Sequence, residues 1–455
     1  MKVKVLSRNP DNYLRETKRD IQKVPRNYDP NLHPFQSSRE YVRALNAVKL
    51  ERVFAKPFIG NLDGHRDGIF CMAKHPKSLS TLASGSYDGE VRLWNLTKKK
   101  CINSINGHDR FVRGLCFNPD GSRLFSVGDD STIKVWNTEE FDTPSHTFIS
   151  QSVLYGISCQ WLNNKVFATC GDVVQLWDIT RSQPTSILKW GVDSLHHLAF
   201  NQIDTHVLAS CASDRSIILY DTREVKPMRK VIMKLKTNQL AWNPMEAYVF
   251  TAANEDYNCY SYDTRKLESP INVHKDHVAA VTCIDYAPTG LEFVTGSYDK
   301  TIRIFESHHG HSREIYHTKR MQHLTSVIWS LDNKFVLSAS DEMNIRIWKA
   351  NASEKLGTLR PRERTALEYN ATLKEKFAAH PQVKRIARHR QVPKHIYHER
   401  NQQLESNKKL KRKEENIRKH SKKNSIPYVS EKKEKCYLRS CLNLLFLFIL
   451  RFYQM

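Results

Sequence analysis

The sequence predicts an all-β body, a seven-bladed β-propeller, flanked by a basic N-terminal arm and a basic α-helical C-terminal extension. Three observations carry that reading. An alternating apolar segment ending in an aromatic residue recurs seven times at a nearly constant interval. An acidic residue stands at a constant distance before nearly every one of those aromatics. The net charge of +23 on 455 residues lies almost wholly outside the repeats. The period, about 42 residues, is the length of four short antiparallel strands with their turns, and seven such units close into a ring.

Residues 1–50 form a basic arm of net charge +6. Its first residues, Met1 to Arg8, interleave charged and apolar side chains and hold no continuous apolar stretch of the kind a secretory leader needs, so an intracellular protein is expected.

Residues 51–350 carry a net charge of only +1 and hold the repeats. The anchor aromatics are Trp94, Trp136, Trp177, Tyr220, Tyr262, Phe305 and Trp348. Six residues before them stand Asp88, Asp130, Asp214, Asp256 and Asp299, with Glu342 in the seventh unit and Gly171 in the third. His65, His108, His274 and His317 each precede an anchor by a similar interval, in phase with the repeat. An Asp beside a tight turn accepts backbone N–H groups whose burial unpaired would cost ~1–3 kcal/mol each, so these residues are expected to brace the blades. A catalytic set occurs once, whereas these recur with the blades, and no catalytic residue or enzymatic activity is assigned.

The third unit lacks the acid in register and is expected to be the least regular blade. The last strand of the seventh unit has no local source, and Arg52–Phe58 is expected to supply it, closing the ring and removing an open edge. Asp109, Asp129 and Asp285 fall out of register and are expected at the solvated surface. The ten Cys include no C-x-x-C pair. Cys71, Cys116, Cys159 and Cys283 lie in apolar segments and read as core, so no metal site, disulfide framework or cofactor is expected.

Residues 351–435, at net +14, are rich in Lys, Arg, Glu, Gln, Ala and Leu, a helix-forming composition. Pro361 is placed to open a helix whose narrow stripe of Ala366, Tyr369, Asn370, Leu373 and Phe377 is expected to pack on the propeller or on a partner; Pro381 and Pro393 divide the remainder of the segment. Lys384, Arg385, Arg388 and Arg390 form one basic cluster, expected to touch RNA through its phosphates. Each phosphate engaged contributes roughly −0.7 to −0.9 to the slope of log K against log salt. With no RRM, KH or zinc signature, sequence readout is not expected. Lys408, Lys409, Lys411, Arg412 and Lys413 form a second cluster, read as a nuclear import signal. Residues 436–455 include the apolar run Leu442–Leu450, too short to span ~30 Å of hydrocarbon, and no membrane partner is expected.

Two resemblances extend this reading. The repeats resemble those of WD-repeat propellers, in which His, a Ser or Thr, Asp and Trp make a hydrogen-bonded chain inside a blade. His33-Pro34-Phe35, Arg39 through Ala47, Phe54 through Phe58 and the stretch from Leu356-Gly357 to His398 resemble the WD-repeat-and-SOF-domain family of nucleolar proteins. That resemblance implies a component of the small-subunit processome, resident in the nucleus and nucleolus, with pre-ribosomal RNA, small nucleolar ribonucleoprotein and other processome proteins as partners. The identical tetrapeptides Tyr220-Asp221-Thr222-Arg223 and Tyr262-Asp263-Thr264-Arg265 are similar to the paired W-D-x-R boxes of cullin-RING ubiquitin ligase substrate receptors, with Tyr replacing Trp. This second resemblance implies that Asp221, Arg223, Asp263 and Arg265 contact a ligase adaptor, with ubiquitylation substrates as further partners.

Overall fold

The computed structural model describes residues 30–190, 193–224, 226–422, 425, 426, 428 and 436–439. Residues 1–29 of the expected basic arm and the apolar run Leu442–Leu450 lie outside the described residues.

Seven antiparallel sheets carry the repeats, six of four strands and one of five. The first strands of the blades are Ile69–Lys74, Val112–Phe117, Gly156–Cys159, Leu195–Phe200, Thr237–Trp242, Val281–Tyr286 and Leu324–Trp329. Each packs on the first strand of the next blade, and the seventh packs on the first, so they form a closed ring. Second strands such as Thr81–Ser86 and Val249–Asn254 are buried along almost their whole length. They are built from small and apolar residues because both of their faces are covered. The outer strand Lys100–Asn106 alternates exposed and half-buried positions instead.

All seven anchor aromatics are at most 2% exposed. They join blades as well as filling them: Trp136 of the second blade packs in one cluster with Ala83, Val91 and Leu93 of the first.

The turn acids have a local physical job. In six blades the residue after the acid is left-handed: Gly89, and then Ser131, Arg215, Tyr257, Lys300 and Met343 at φ between 61° and 70°. Such a conformation costs a non-glycine residue roughly 1–2 kcal/mol. In five blades the Asp carboxylate braces the turn by accepting the amide two residues on, Glu90 (3.1 Å), Thr132 (3.1 Å), Ser216 (3.0 Å), Asn258 (3.3 Å) and Thr301 (2.9 Å), and in the last four, where the left-handed residue is not glycine, it offsets that cost. The third blade, without an acid in register, has short strands, from Gly156–Cys159 to Ser186–Leu188, the latter matched in length by Asn272–His274 of the fifth blade. Among the described strands, its first pair is also the one that runs without a bulge.

The hydrogen-bonded chain is complete in the second blade. The Trp136 indole N–H donates to Ser126 Oγ (2.9 Å), Ser126 lies 2.7 Å from His108 Nε2, and His108 Nδ1 is 2.9 Å from Asp130. Burial pushes the Asp130 carboxyl up, but the bonds and charge of His108 and the bonds from Thr132 outweigh it and hold the group well below the usual range.

In the first blade the chain runs from Trp94 through Ser84 to His65 (2.7 and 2.6 Å) and stops there. His65 Nδ1 faces Glu90 at 3.5 Å without a hydrogen bond, and Asp88 serves its own turn. The sixth blade corrects the sequence reading. The histidine bonded to Thr295 (2.7 Å) and Asp299 (2.9 Å) is His277, which precedes Phe305 by the same interval that separates His108 from Trp136. His274 belongs to the fifth blade, bonded to Ser261 (3.0 Å) and the His309 carbonyl (2.8 Å). His317 joins no such chain, and its Nδ1 is buried without a partner. Asp214 bonds Lys230 (2.8 Å), and Asp256 accepts the Tyr260 hydroxyl. Trp348 donates to Ser338 (2.9 Å) in the seventh blade.

The ring closes through a strand from the N-terminal side, displaced from the expected one. Phe58–Leu62 pairs antiparallel with Ile345–Lys349, whereas residues 52 and 53 end a helix, α1 (Gln36–Val53). That helix forms a separate compact unit with Asn351–Arg390. There α2 (Pro361–Lys376) packs against α1 rather than standing free for a partner, and α3 (Pro381–Arg388) completes the group. Tyr41 donates to Gln382 (2.6 Å), Lys376 pairs with Glu40 (2.6 Å) and Lys374 with Glu51 (2.9 Å). In the propeller unit, α4 (Lys394–His420) buries Ile396, and Arg400 and Gln403 bond Asp276 (2.9 Å) and the Val278 carbonyl (2.7 Å). Cys436–Arg439 adds the fifth strand to the fourth blade, beside Pro227–Met233.

Burial pushes His65, His197 and His274 down to about 4, against an ordinary value near 6.5. The unfolded chain therefore binds protons that the folded chain refuses, so stability rises with pH through this window. The urea midpoint should fall steadily as pH drops from about 6.5 to about 4, with Asp130 and Asp299 adding their loss only at still lower pH. A midpoint that stays flat from pH 7 to 4.5 would contradict neutral buried imidazoles.

Candidate functional site

The two tetrapeptide boxes occupy equivalent turns in adjacent blades, each directly after a third strand, Ser216–Asp221 and Cys259–Asp263. In each box the Asp caps its own turn. Asp221 accepts the Arg223 amide (3.0 Å), and Asp263 accepts that of Arg265 (2.9 Å). The same carboxylate then grips the guanidinium bidentately: Arg223 Nε and Nη2 lie 3.0 and 2.7 Å from Asp221, Arg265 Nε and Nη2 lie 3.1 and 3.0 Å from Asp263. These charge-assisted bonds hold both carboxyls below the usual range, against the opposing push of burial. The arginine side chains are 66% and 67% exposed, so each is a cation fixed in direction yet open to solvent.

The structure brings the two boxes together. Asp221, Arg223, Thr264 and Arg265 line one depression of about 430 Å³. Two further residues of this site were not visible from the boxes. Tyr248 lies under the Arg265 guanidinium, 4.4 Å from ring centroid to Cζ, and Arg229 donates to the carbonyls of Thr264 and Arg265 (2.9 Å each). Tyr248 precedes Tyr262 by the same interval at which His206 precedes Tyr220, and His206 lines the same depression. That shared phase was the available signal; Arg229 had none.

The basic clusters lie on helices. Lys384, Arg385 and Arg388 are exposed on α3, while Arg390 is half-buried just beyond it, bonded to the Ala387 and His389 carbonyls (2.5 and 3.0 Å). Lys408, Lys409, Lys411, Arg412 and Lys413 are exposed on α4, past the turns that Arg400 and Gln403 fasten to the sixth blade.

Two of the off-register acids are not at the solvated surface. Asp285 holds Lys74 (2.7 Å) and the Trp329 amide (2.8 Å) between first strands of the ring, and Asp129 grips Arg113 bidentately (2.7 and 2.8 Å). Lys74 and Asp285 line a central cavity of about 470 Å³ with Cys116 and Cys159. Asp109 is exposed, as expected. Cys71, Cys101, Cys116, Cys159, Cys170, Cys211, Cys259 and Cys283 are free thiols, of which Cys71, Cys101 and Cys116 are half-buried rather than fully buried. Among the described residues no group of three or more His, Cys, Asp or Glu could hold a metal, and no helix is long and apolar enough to cross a membrane.

A closed seven-bladed ring with a two-box rim, in one chain with basic helices, defines a WD-repeat protein. The model of the WD domain, G-beta repeat, matches residues 56–95, 99–137, 268–306 and 310–349, and that of the Sof1-like domain matches residues 350–436. The chain is 61% identical over 439 residues to "DDB1- and CUL4-associated factor 13" of Gallus gallus, covering 95% of this chain and 98% of that protein. It is 57% identical to the Homo sapiens protein of that name over the same shares, and 49% identical over 429 residues to that of Dictyostelium discoideum, covering 92% and 96%. The chain belongs to this Sof1-like family of WD-repeat proteins. The repeat model passes over the third, fourth and fifth blades, and the fourth and fifth are the ones that carry the boxes and replace the anchor Trp by Tyr.

Because the Arg223 and Arg265 guanidinium groups bond their own Asp, with Arg265 also lying over the Tyr248 ring, and both stay open to solvent, Arg223→Ala/Arg265→Ala should shift the urea midpoint little. Asp221→Ala, which strips the turn of its cap, should lower stability by about 1 kcal/mol. A double arginine variant as unstable as the Asp variant would assign these arginines a structural role instead.

Proposed function

We propose that this protein is a non-enzymatic scaffold of the small-subunit processome, required in the nucleolus for processing the precursor of small-subunit ribosomal RNA. The observation that carries this reading is the Sof1-like segment itself: three helices, two of which present the clusters around Lys384–Arg388 and Lys408–Lys413 on exposed surface. A ring of near-neutral charge joined in sequence to basic helices suits a part that organises partners while touching RNA through phosphates. The import reading of Lys408–Lys413 supports nuclear residence.

The paired boxes favour a second role, as a substrate receptor of a cullin-RING ligase. The relatives' name describes association with DDB1 and CUL4. In this chain two preorganised, exposed arginines converge on one depression, a geometry suited to an adaptor's carboxylates or carbonyls. Depleting the protein should cause unprocessed small-subunit rRNA precursor to accumulate, and unchanged processing would contradict the scaffold role. Arg223→Ala/Arg265→Ala should abolish co-purification of DDB1 while restoring precursor processing in depleted cells. Undiminished co-purification would remove the boxes from adaptor docking.

A further inference from the structure

The propeller is nearly neutral as a whole, yet its charge is not evenly spread. A second rim depression, of about 770 Å³, lies between the outer strand Pro144–Ile149 of the second blade and the turn after Val174–Asp178 of the third. Four basic residues, Arg123, His146, Lys165 and Arg181, line it together with Thr147, Thr180 and Ser182, and no acidic residue does. The contrast with the box depression is direct. There Arg223 and Arg265 are each neutralised by their own Asp, whereas among the described residues no ion pair ties Arg123, Lys165 or Arg181 to an acid. Of the acids near them in sequence, Asp120 pairs with Lys77 (2.9 Å), and Asp178 accepts the amide and hydroxyl of Thr180 (3.0 and 2.9 Å) while feeling the charges of Arg181 and Lys165 without an ion pair to either, so the lining keeps an excess of positive charge.

We propose that this depression between the second and third blades is a binding site for the phosphate backbone of single-stranded RNA, so that the ring itself, and not only the helices, grips RNA. The inference rests on the ribonucleoprotein role proposed above and extends it to a surface that the overall neutrality of residues 51–350 conceals. A lone phosphomonoester is satisfied by two cations. Three permanent cations and an imidazole spread across an open depression suit a chain of successive phosphates. Ile149, 77% exposed on the same wall, offers apolar surface to a ribose or base.

The test uses the full chain and a fluorescently labelled oligouridine of about 12 nucleotides, titrated between about 50 and 200 mM salt. Arg123→Gln/Lys165→Gln/Arg181→Gln should flatten the slope of log K against log salt by about 2, from roughly 0.7 per phosphate released, and weaken low-salt binding tenfold or more. Lys384→Gln/Arg385→Gln/Arg388→Gln should flatten it separately. A rim variant that binds like the parent while the helix variant weakens overturns this inference and leaves the proposed function standing; no effect in either overturns both. Loss of binding to a phosphoserine peptide with RNA binding intact would also overturn it. Should the rim variant fail to fold, ultraviolet crosslinking of the oligonucleotide to the unaltered chain decides: crosslinks within residues 123–149 or 165–182 support the site, and crosslinks confined to residues 380–420 refute it.

Discussion

The pairing of Phe58–Leu62 with Ile345–Lys349 is the constraint on which the rest depends. Without it the seventh sheet has three strands and an open edge, and the seventh blade is held to the first only through contacts such as that of Leu324–Trp329 with Ile69–Lys74. Each first strand buries its neighbours' first strands, and clusters such as the one around Trp136 cross blade boundaries. In an open array, stability adds up repeat by repeat. Closure couples all seven, which fixes the fourth and fifth blades against each other closely enough for two arginines one repeat apart to share one depression.

Within that ring the blades divide their labour. The first, second, sixth and seventh keep the features that the repeat model detects, and the second and sixth run the network from turn acid through histidine to hydroxyl. The fourth and fifth have given up the Trp and the in-register histidine for Tyr220, Tyr262 and compensating bonds such as Tyr260 to Asp256. Those are the blades whose turns carry the aspartate-clamped arginines. Divergence from the repeat and acquisition of a rim site thus coincide in the same turns.

Much of this was legible in the sequence because a fixed repeat length is a physical ruler. It placed the seven anchor aromatics, the turn acids, the weak third blade and the need for an N-terminal strand. What it could not resolve was phase within the outer loops: a shift of three positions separated His277, which bonds Asp299, from His274, which serves the previous blade. Helix α1 went unread because its buried face is Glu40, Ala44 and Val48, a stripe too polar to stand out, and its partners, such as Lys376, lie beyond the whole propeller in sequence. Both boxes were visible as repeated words. Tyr248, Arg229 and the basic depression at Arg123, Lys165 and Arg181 were not, since they assemble only when neighbouring blades meet.

Charge follows the same logic. Inside the ring cations meet carboxylates directly, as Lys74 does Asp285 and Arg113 does Asp129, and the body stays near-neutral. Exposed cations stand on α3, on α4 and around both rim depressions. The most direct measurement of the central claim is amide hydrogen exchange on a chain lacking residues 58–62. If a closed ring organises these surfaces, protection should be lost not only at Ile345–Lys349 but also at the first strands of distant blades such as Leu195–Phe200. Loss confined to the seventh blade, with the fourth and fifth unaffected, would contradict it.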